Sequence, residues 1–165
     1  MREAVPADAN AYCDLYEAVA AERRWIGHEP PIDRAELTEK LHAAVDDPSQ
    51  LRLVARAEDR VVGSVGAQLW IGIVSFGMLV AEDWRGRGVG TALLAQLLDW
   101  SVVRDAHKVT MQVWPHNTGA IALYERHGFA VEGRLRRHYR RQNGELWDCL
   151  VMGLCLAEQA SEAAS

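Results

Sequence analysis

The chain has 165 residues, with 18 Lys and Arg against 23 Asp and Glu, a formal charge of -5 and a pI near 5.7. That length suits one domain with its own core, expected over residues 1–156 with a frayed tail at 157–165, and the acidic balance argues against nucleic acid as a partner. Cys13, Cys149 and Cys155 are odd in number, far apart and without a C-x-x-C pair, so they suggest neither a disulfide framework nor a metal site, and a reducing cytoplasm fits them best.

The N-terminus, M-R-E-A-V-P-A-D, is charged within its first residues and has no apolar signal core. Arg2 to Val5 reads as a short first strand. Pro6 and Asp8 then mark a helix start with Asp8 as N-cap, and Tyr12, Leu15, Tyr16 and Val19 recur at helical spacing. Trp25 to Pro31 is a loop because of its glycine and its proline pair. Asp33 and Glu36 resemble a capping box for a second helix, whose apolar stripe is Leu37, Leu41, Ala44 and Val45. Beyond Asp46 to Ser49 the pattern becomes strand-like: Leu51 to Ala57, a turn at Glu58 and Asp59, then Val61 to Trp70, paired as a hairpin. Ile73 to Val80 is a further apolar, β-branched strand. The nearly apolar run from Trp70 to Ala81 is too short to span a bilayer as a helix, so no membrane is expected.

A helix from about Gly88 to Arg104 follows, with Val89, Leu93, Leu97 and Trp100 on one face. Lys108 to Val113 is a strand. Asn117 caps a helix running to His127, which Gly128 ends. Phe129 to Glu132 and Leu146 to Cys155 complete the strands, separated by the arginine-rich stretch Arg134 to Arg141.

The most informative stretch is R-G-R-G-V-G-T-A-L-L, Arg85 to Leu94, which puts a glycine-rich basic turn between a strand and a helix. Backbone N–H groups in the first helical turn lack intrahelical partners, and the helix dipole adds partial positive charge there. Gly86, Gly88 and Gly90 let those groups face a ligand, and Arg85 and Arg87 add full charges suited to phosphate oxygens. A P-loop would need Lys then Ser or Thr after the last glycine, but Thr91 and Ala92 stand there. A dinucleotide fingerprint needs a different glycine spacing and an acidic residue ending the next strand. The turn alone leaves both a structural helix entry and a phosphate site open.

A second motif lies about thirty residues on: N-T-G-A-I-A-L-Y-E-R-H-G-F, Asn117 to Phe129. Together with V-A-E-D-W-R-G-R-G-V-G-T-A-L-L it closely resembles the GCN5-related N-acetyltransferase superfamily, firmly from Phe76 to Leu154 and only topologically before that. The resemblance implies an α/β fold whose central mixed, mostly antiparallel sheet has six to seven strands, splays between the Ile73 and Lys108 strands, and carries about four flanking helices. It implies an acetyl-coenzyme A-dependent enzyme acting on a primary amine, with no metal.

F-G-M-L-V, G-F-A-V-E-G-R and N-G-E-L-W-D-C-L-V-M look most like bacterial enzymes that acetylate free amino acids or similar small molecules, with ribosomal-protein acetyltransferases as near neighbours. Carried over by residue, the pattern makes the main chain of Met78, Leu79 and Val80 a partner of the pantetheine arm. It gives the diphosphate to Arg85, Gly86, Arg87, Gly88, Val89, Gly90 and Thr91, a coenzyme contact to Asn117, and a place beside the sulfur to Tyr124. Amine attack on a thioester develops an oxyanion and expels a thiolate. A main-chain N–H at Leu79 or Val80 suits the first, and the Tyr124 hydroxyl the second.

Some relatives place a carboxylate where this chain has Ser75 and Gln112, so no strong general base is visible. Water, Glu29, Glu82, His28 and His116 are the alternatives for the amine proton. Trp25, Glu29 and Glu22 are candidates for the acceptor side, by cation–π contact or charge pairing, against simple packing and solvation. Arg134 to Arg141 is either an anion contact or a solvated basic strand. No cysteine sits in an acyl-enzyme motif, so direct transfer in a ternary complex is expected. A protein N-terminal acetyltransferase and a non-catalytic acyl-coenzyme A sensor are the rival readings, and the resemblance leaves a homodimer open.

Overall fold

A computed structural model describes residues 1–156, so the frayed tail expected at 157–165 lies outside the described residues. They contain seven strands and four α-helices: β1 (Arg2–Glu3), α1 (Ala9–Ala21), α2 (Arg34–Asp46), β2 (Gln50–Ala57), β3 (Arg60–Trp70), β4 (Ile73–Val80), α3 (Val89–Val103), β5 (Lys108–Val113), α4 (Thr118–Arg126), β6 (Ala130–Arg140) and β7 (Leu146–Cys155). The strands form one mixed sheet in the order β1-β2-β3-β4-β5-β7-β6. Contacts divide the chain into two compact units, Met1–Gln68 with Gly77–Leu97, and Leu69–Phe76 with the chain from Leu98 onward.

In the first unit, β1 pairs antiparallel with β2 for two residues. It stops short of Val5 because the Val5 N–H turns to the Asp8 carboxylate (2.9 Å) and Pro6 has no N–H to offer. Asp8 occupies the N-cap position of α1 but makes no side-chain cap there. Its buried carboxylate instead accepts bonds from Arg2 (2.7 and 2.9 Å) and Arg56 (2.8 Å), a correction to the cap expected from position.

In α2 the expected cap forms, since Asp33 accepts from the N–H groups of Ala35 and Glu36. Glu36 pairs forward with Lys40 rather than back to Asp33, and Val45 of the expected stripe is exposed while Leu41 and Ala44 are buried. β2 and β3 pair antiparallel around a turn where Glu58 has φ 53°, with a register shift at Ala55 and Arg56. Tyr12, Leu15 and Val19 of α1 and Leu41 of α2 pack with Val54, Val61, Leu79 and Ala81 as the core of this unit. Leu93, Leu94 and Leu97 of α3 are fully buried. Gly63 of β3 makes that possible: a Cβ there would fall 2.7 Å from Val89 Cγ1 and 3.1 Å from Leu93 Cδ1.

In the second unit, Ile71 (φ 45°) and Gly72 (φ 78°) join β3 to β4 in a two-residue turn, the backbone that hairpin twist favours. β4 and β5 pair in parallel over three residue pairs, Ile73 with Lys108 to Ser75 with Thr110. β7 pairs antiparallel with β5 over the whole of Lys108–Val113, and with β6 on its other side. β6 runs through the arginine-rich stretch to Arg140, where the sequence reading ends the strand at Glu132.

That stretch is not simply a solvated basic strand. Asp148 accepts from Arg134 and from the N–H of Arg137, which adopts φ 53° at a break in register, and Arg141 is buried with its guanidinium 4.4 Å from the Trp147 ring. Asn117 caps α4 through the Ala120 N–H (3.3 Å), and Gly128 follows at φ 86°.

Candidate active site

The glycine turn lies in the first unit. Gly86 (φ 71°) and Gly88 (φ 83°) hold left-handed backbone, and a Cβ on either would meet nothing within 4 Å. Both are therefore open as well as conformationally dependent on glycine. Among the described residues no N–H from Gly86 to Thr91 donates a hydrogen bond; the first donor is Ala92, to the Gly88 carbonyl (3.0 Å). Six consecutive free N–H groups at the start of a fifteen-residue helix form an anion-binding concavity. Arg87 is exposed above the Trp84 ring (5.3 Å), and among the described residues it has no hydrogen-bond acceptor.

Arg85 is placed differently. Its Nε donates to the Val80 carbonyl (3.1 Å) and its two terminal nitrogens form a fork on the Glu22 carboxylate. Glu22 also accepts from the Trp25 indole N–H, and the Trp25 ring receives Arg85 at 5.5 Å and Arg24 at 4.7 Å. The Arg85 guanidinium holds the Glu22 carboxyl below its usual range. Three residues singled out for ligands thus bind each other, tying the end of α1 to the turn before α3. Glu29 buries its carboxylate beside Arg23 (3.4 Å), and His28 Nδ1 lies 2.6 Å from the Tyr16 hydroxyl.

In the second unit, Tyr124 is buried on α4, its ring 5.7 Å from both Phe76 and Phe129. Burial pushes its phenol far above the usual range. Among the described residues the hydroxyl has no hydrogen-bond partner, and the residue is 4% exposed. Asn117 gives its oxygen to the helix cap, and its amide nitrogen meets no acceptor among the described residues.

Ser75 is exposed on β4. Gln112 accepts from the Tyr139 hydroxyl (2.7 Å) and the Cys149 thiol (3.6 Å), so neither position supplies a base. His116 stacks edge-on to Trp147 at 5.0 Å. Among the described residues no group of three or more His, Cys, Asp or Glu is placed to hold a metal ion, and no helix is long and apolar enough to cross a membrane.

Gly63, Arg52 and the Glu22–Arg85 fork are not singled out by sequence reasoning in these roles. The two glycines inside β3, Gly63 and Gly66, are the signal that something approaches that strand closely.

A mixed seven-stranded sheet with four helices and a glycine turn opening α3 is the architecture of an N-acetyltransferase. The chain belongs to the acetyltransferase (GNAT) family, whose sequence pattern matches residues 13–129. It is 29% identical over 116 residues to the L-amino acid N-acetyltransferase AaaT of Escherichia coli K12, covering 65% of this chain and 69% of that protein. It is 24% identical over 141 residues to an L-methionine sulfoximine/L-methionine sulfone acetyltransferase of Pseudomonas paraeruginosa, covering 82% of each. The crystal structure of a ribosomal-protein-alanine N-acetyltransferase from Brucella melitensis superposes with a TM-score of 0.86 at 27% identity, over 94% of this chain and 98% of that one. The protein is an N-acetyltransferase using acetyl-coenzyme A. The free N–H run at Gly86–Thr91 fits the coenzyme's anionic diphosphate.

Proposed function

We propose that the enzyme acetylates the primary amine of a free amino acid or closely similar small molecule, by direct transfer in a ternary complex, within a single cytoplasmic domain over residues 1–156. The observation that carries the donor half is the run of free N–H groups from Gly86 to Thr91 beside the exposed Arg87. The acceptor half is supported by AaaT and the methionine sulfoximine acetyltransferase, whose substrates are amino acids or their analogues.

In this reading the Gly86–Thr91 N–H groups and Arg87 hold the diphosphate, and Arg85 braces the turn. The Met78–Val80 main chain lines the pantetheine arm, with the Val80 N–H as oxyanion donor. The Asn117 amide nitrogen donates to the coenzyme. Acetyl-coenzyme A supplies the thioester. Burial keeps the Tyr124 phenol protonated at neutral pH, so its hydroxyl donates a hydrogen bond to the departing thiolate and passes its proton as the C–S bond breaks. The amine loses its proton to water, because Ser75 and Gln112 carry no carboxylate.

Calorimetric titration with acetyl-coenzyme A, with ATP and NADH as controls, tests the donor site. Binding should be selective, and Arg87→Gln should weaken it roughly 10-fold by removing a charge-assisted contact. Wild-type affinity in that variant would remove Arg87 from the site. Thiol release is then measured across free amino acids and peptides. Turnover confined to peptide N-termini would favour the second reading, a ribosomal-protein type of acceptor, which the Brucella melitensis superposition supports.

A further inference from the structure

Arg52, on β2 in the first unit, differs from the other arginines near it. Arg2, Arg34, Arg56, Arg60 and Arg85 each hold a carboxylate. Among the described residues Arg52 has none within 4 Å: its one hydrogen bond goes from Nη1 to the neutral Tyr12 hydroxyl (3.2 Å), and its Nε is dry and unpartnered. Its guanidinium lies 5.1 Å from the Tyr12 ring centroid. A half-buried guanidinium with five donors and one satisfied lacks its natural counter-ion.

Its surroundings leave room for one. Arg52 pairs across the hairpin with Gly66, and the guanidinium lies so close over that glycine that a Cβ there would fall 2.2 Å from Nη1. Side chains alternate along a strand, so Arg52 shares a sheet face with Val54, and Gly77 shares one with Leu79. Val54 and Leu79 both belong to the core cluster that contains Tyr12, so Arg52, Gly66 and Gly77 face the same side. A Cβ at Gly77 would meet nothing within 4 Å. Gly66 is thus covered by the guanidinium itself, and the floor left without side chains is at Gly77, on the face that also carries Tyr12 and Tyr16, whose rings lie 6.0 Å apart. Gly77 lies on β4, the strand whose Met78–Val80 main chain is assigned above to the pantetheine arm.

We propose that Arg52 anchors the carboxylate of the acceptor, which lies over Gly77 with its carboxylate on the free guanidinium donors. This rests on the acetyltransferase reading above and narrows its acceptor to amines that carry a nearby carboxylate. Arg52 acts through binding and touches no reacting atom.

The test compares kcat and KM for each of a panel of L-amino acids with its decarboxylated amine, in wild type, Arg52→Gln, Arg52→Lys and Gly66→Ala, with acetyl-coenzyme A saturating and its own KM measured as control. Arg52→Gln should lower kcat/KM for amino acids roughly 10- to 100-fold more than for the matching amines, mainly through KM, as expected for loss of a charge-assisted pair. Arg52→Lys should restore part of that preference. Gly66→Ala keeps the charge but pushes the guanidinium aside, so it should reproduce the loss even if Arg52→Gln folds poorly.

Equal losses on amino acids and amines, or a wild type that turns over the amines or peptides as well as the amino acids, would overturn the assignment while leaving the acetyltransferase reading intact. Failure of that reading itself would be separate: no selective acetyl-coenzyme A binding by the wild type, or no thiol release with any amine.

Discussion

Burial, not a neighbouring charge, sets the state of the Tyr124 phenol: its ring is enclosed by Phe76 and Phe129 and nothing cationic offsets the desolvation. A hydroxyl so placed stays protonated across the neutral range, which suits a donor and disqualifies a base. Tyr124→Phe should lower kcat about 100-fold or more while acetyl-coenzyme A affinity changes little, and wild-type kcat should show no alkaline fall from phenol ionisation below pH 10, both checked by pH-resolved kinetics.

Asp8 carries the opposite kind of shift. The hydrogen bonds of Arg2 lead in lowering its carboxyl from 3.8 to about 2, against the opposing effect of burial. Its folded pKa lies below the unfolded one, so its contribution is complete above the unfolded value and is lost as pH falls towards about 2. Asp8→Asn should destabilise by roughly 1–3 kcal/mol at neutral pH, and the gap between the two melting curves should close as acid is added. The misreading of Asp8 as a helix cap has a plain cause: Arg56 lies 48 residues away and leaves no local mark.

The elements whose limits are legible in the sequence are those bounded by their own chemistry. β4 and β5 start and stop at the expected residues because β-branched runs end at turn residues, and α4 is framed by Asn117 and Gly128. β6 escapes such a reading because it is the last strand of the sheet order among the described residues, an edge position where arginines are tolerated. Likewise the apolar stripe of α2 overstates its buried face, since Val45 lies near the helix end and remains exposed.

Close packing of α3 on β3 is the contact most open to test at this scale. Gly63→Ala brings a methyl within 2.7 Å of Val89 Cγ1, a side chain too short to move aside alone. It should destabilise by about 1–3 kcal/mol and weaken acetyl-coenzyme A binding several-fold, because the first turn of α3 must shift, as seen by thermal melting and calorimetry.

Over the described residues, the order of elements and the two motifs that mark the family are legible in the sequence. The two motifs are contiguous in sequence, and their main-chain chemistry depends little on distant side chains. Contacts made between segments were not readable: Arg52 with Tyr12, 40 residues apart, and Arg85 with Glu22, 63 apart. Trp25 and Glu22, candidates for an amine, also contact each other and Arg85.

That last contact carries a consequence for motion. Glu22 closes α1 and opens the loop to α2, while Arg85 precedes the glycine turn, so one fork couples the ordering of two segments that meet nowhere else in sequence. Whatever stiffens the turn must by reciprocity stiffen the loop, and whatever loosens one must loosen the other. In Glu22→Gln, amide hydrogen exchange should therefore quicken together around residues 22–27 and 84–88, and acetyl-coenzyme A should slow exchange in both stretches of the wild type but mainly in the second stretch of the variant.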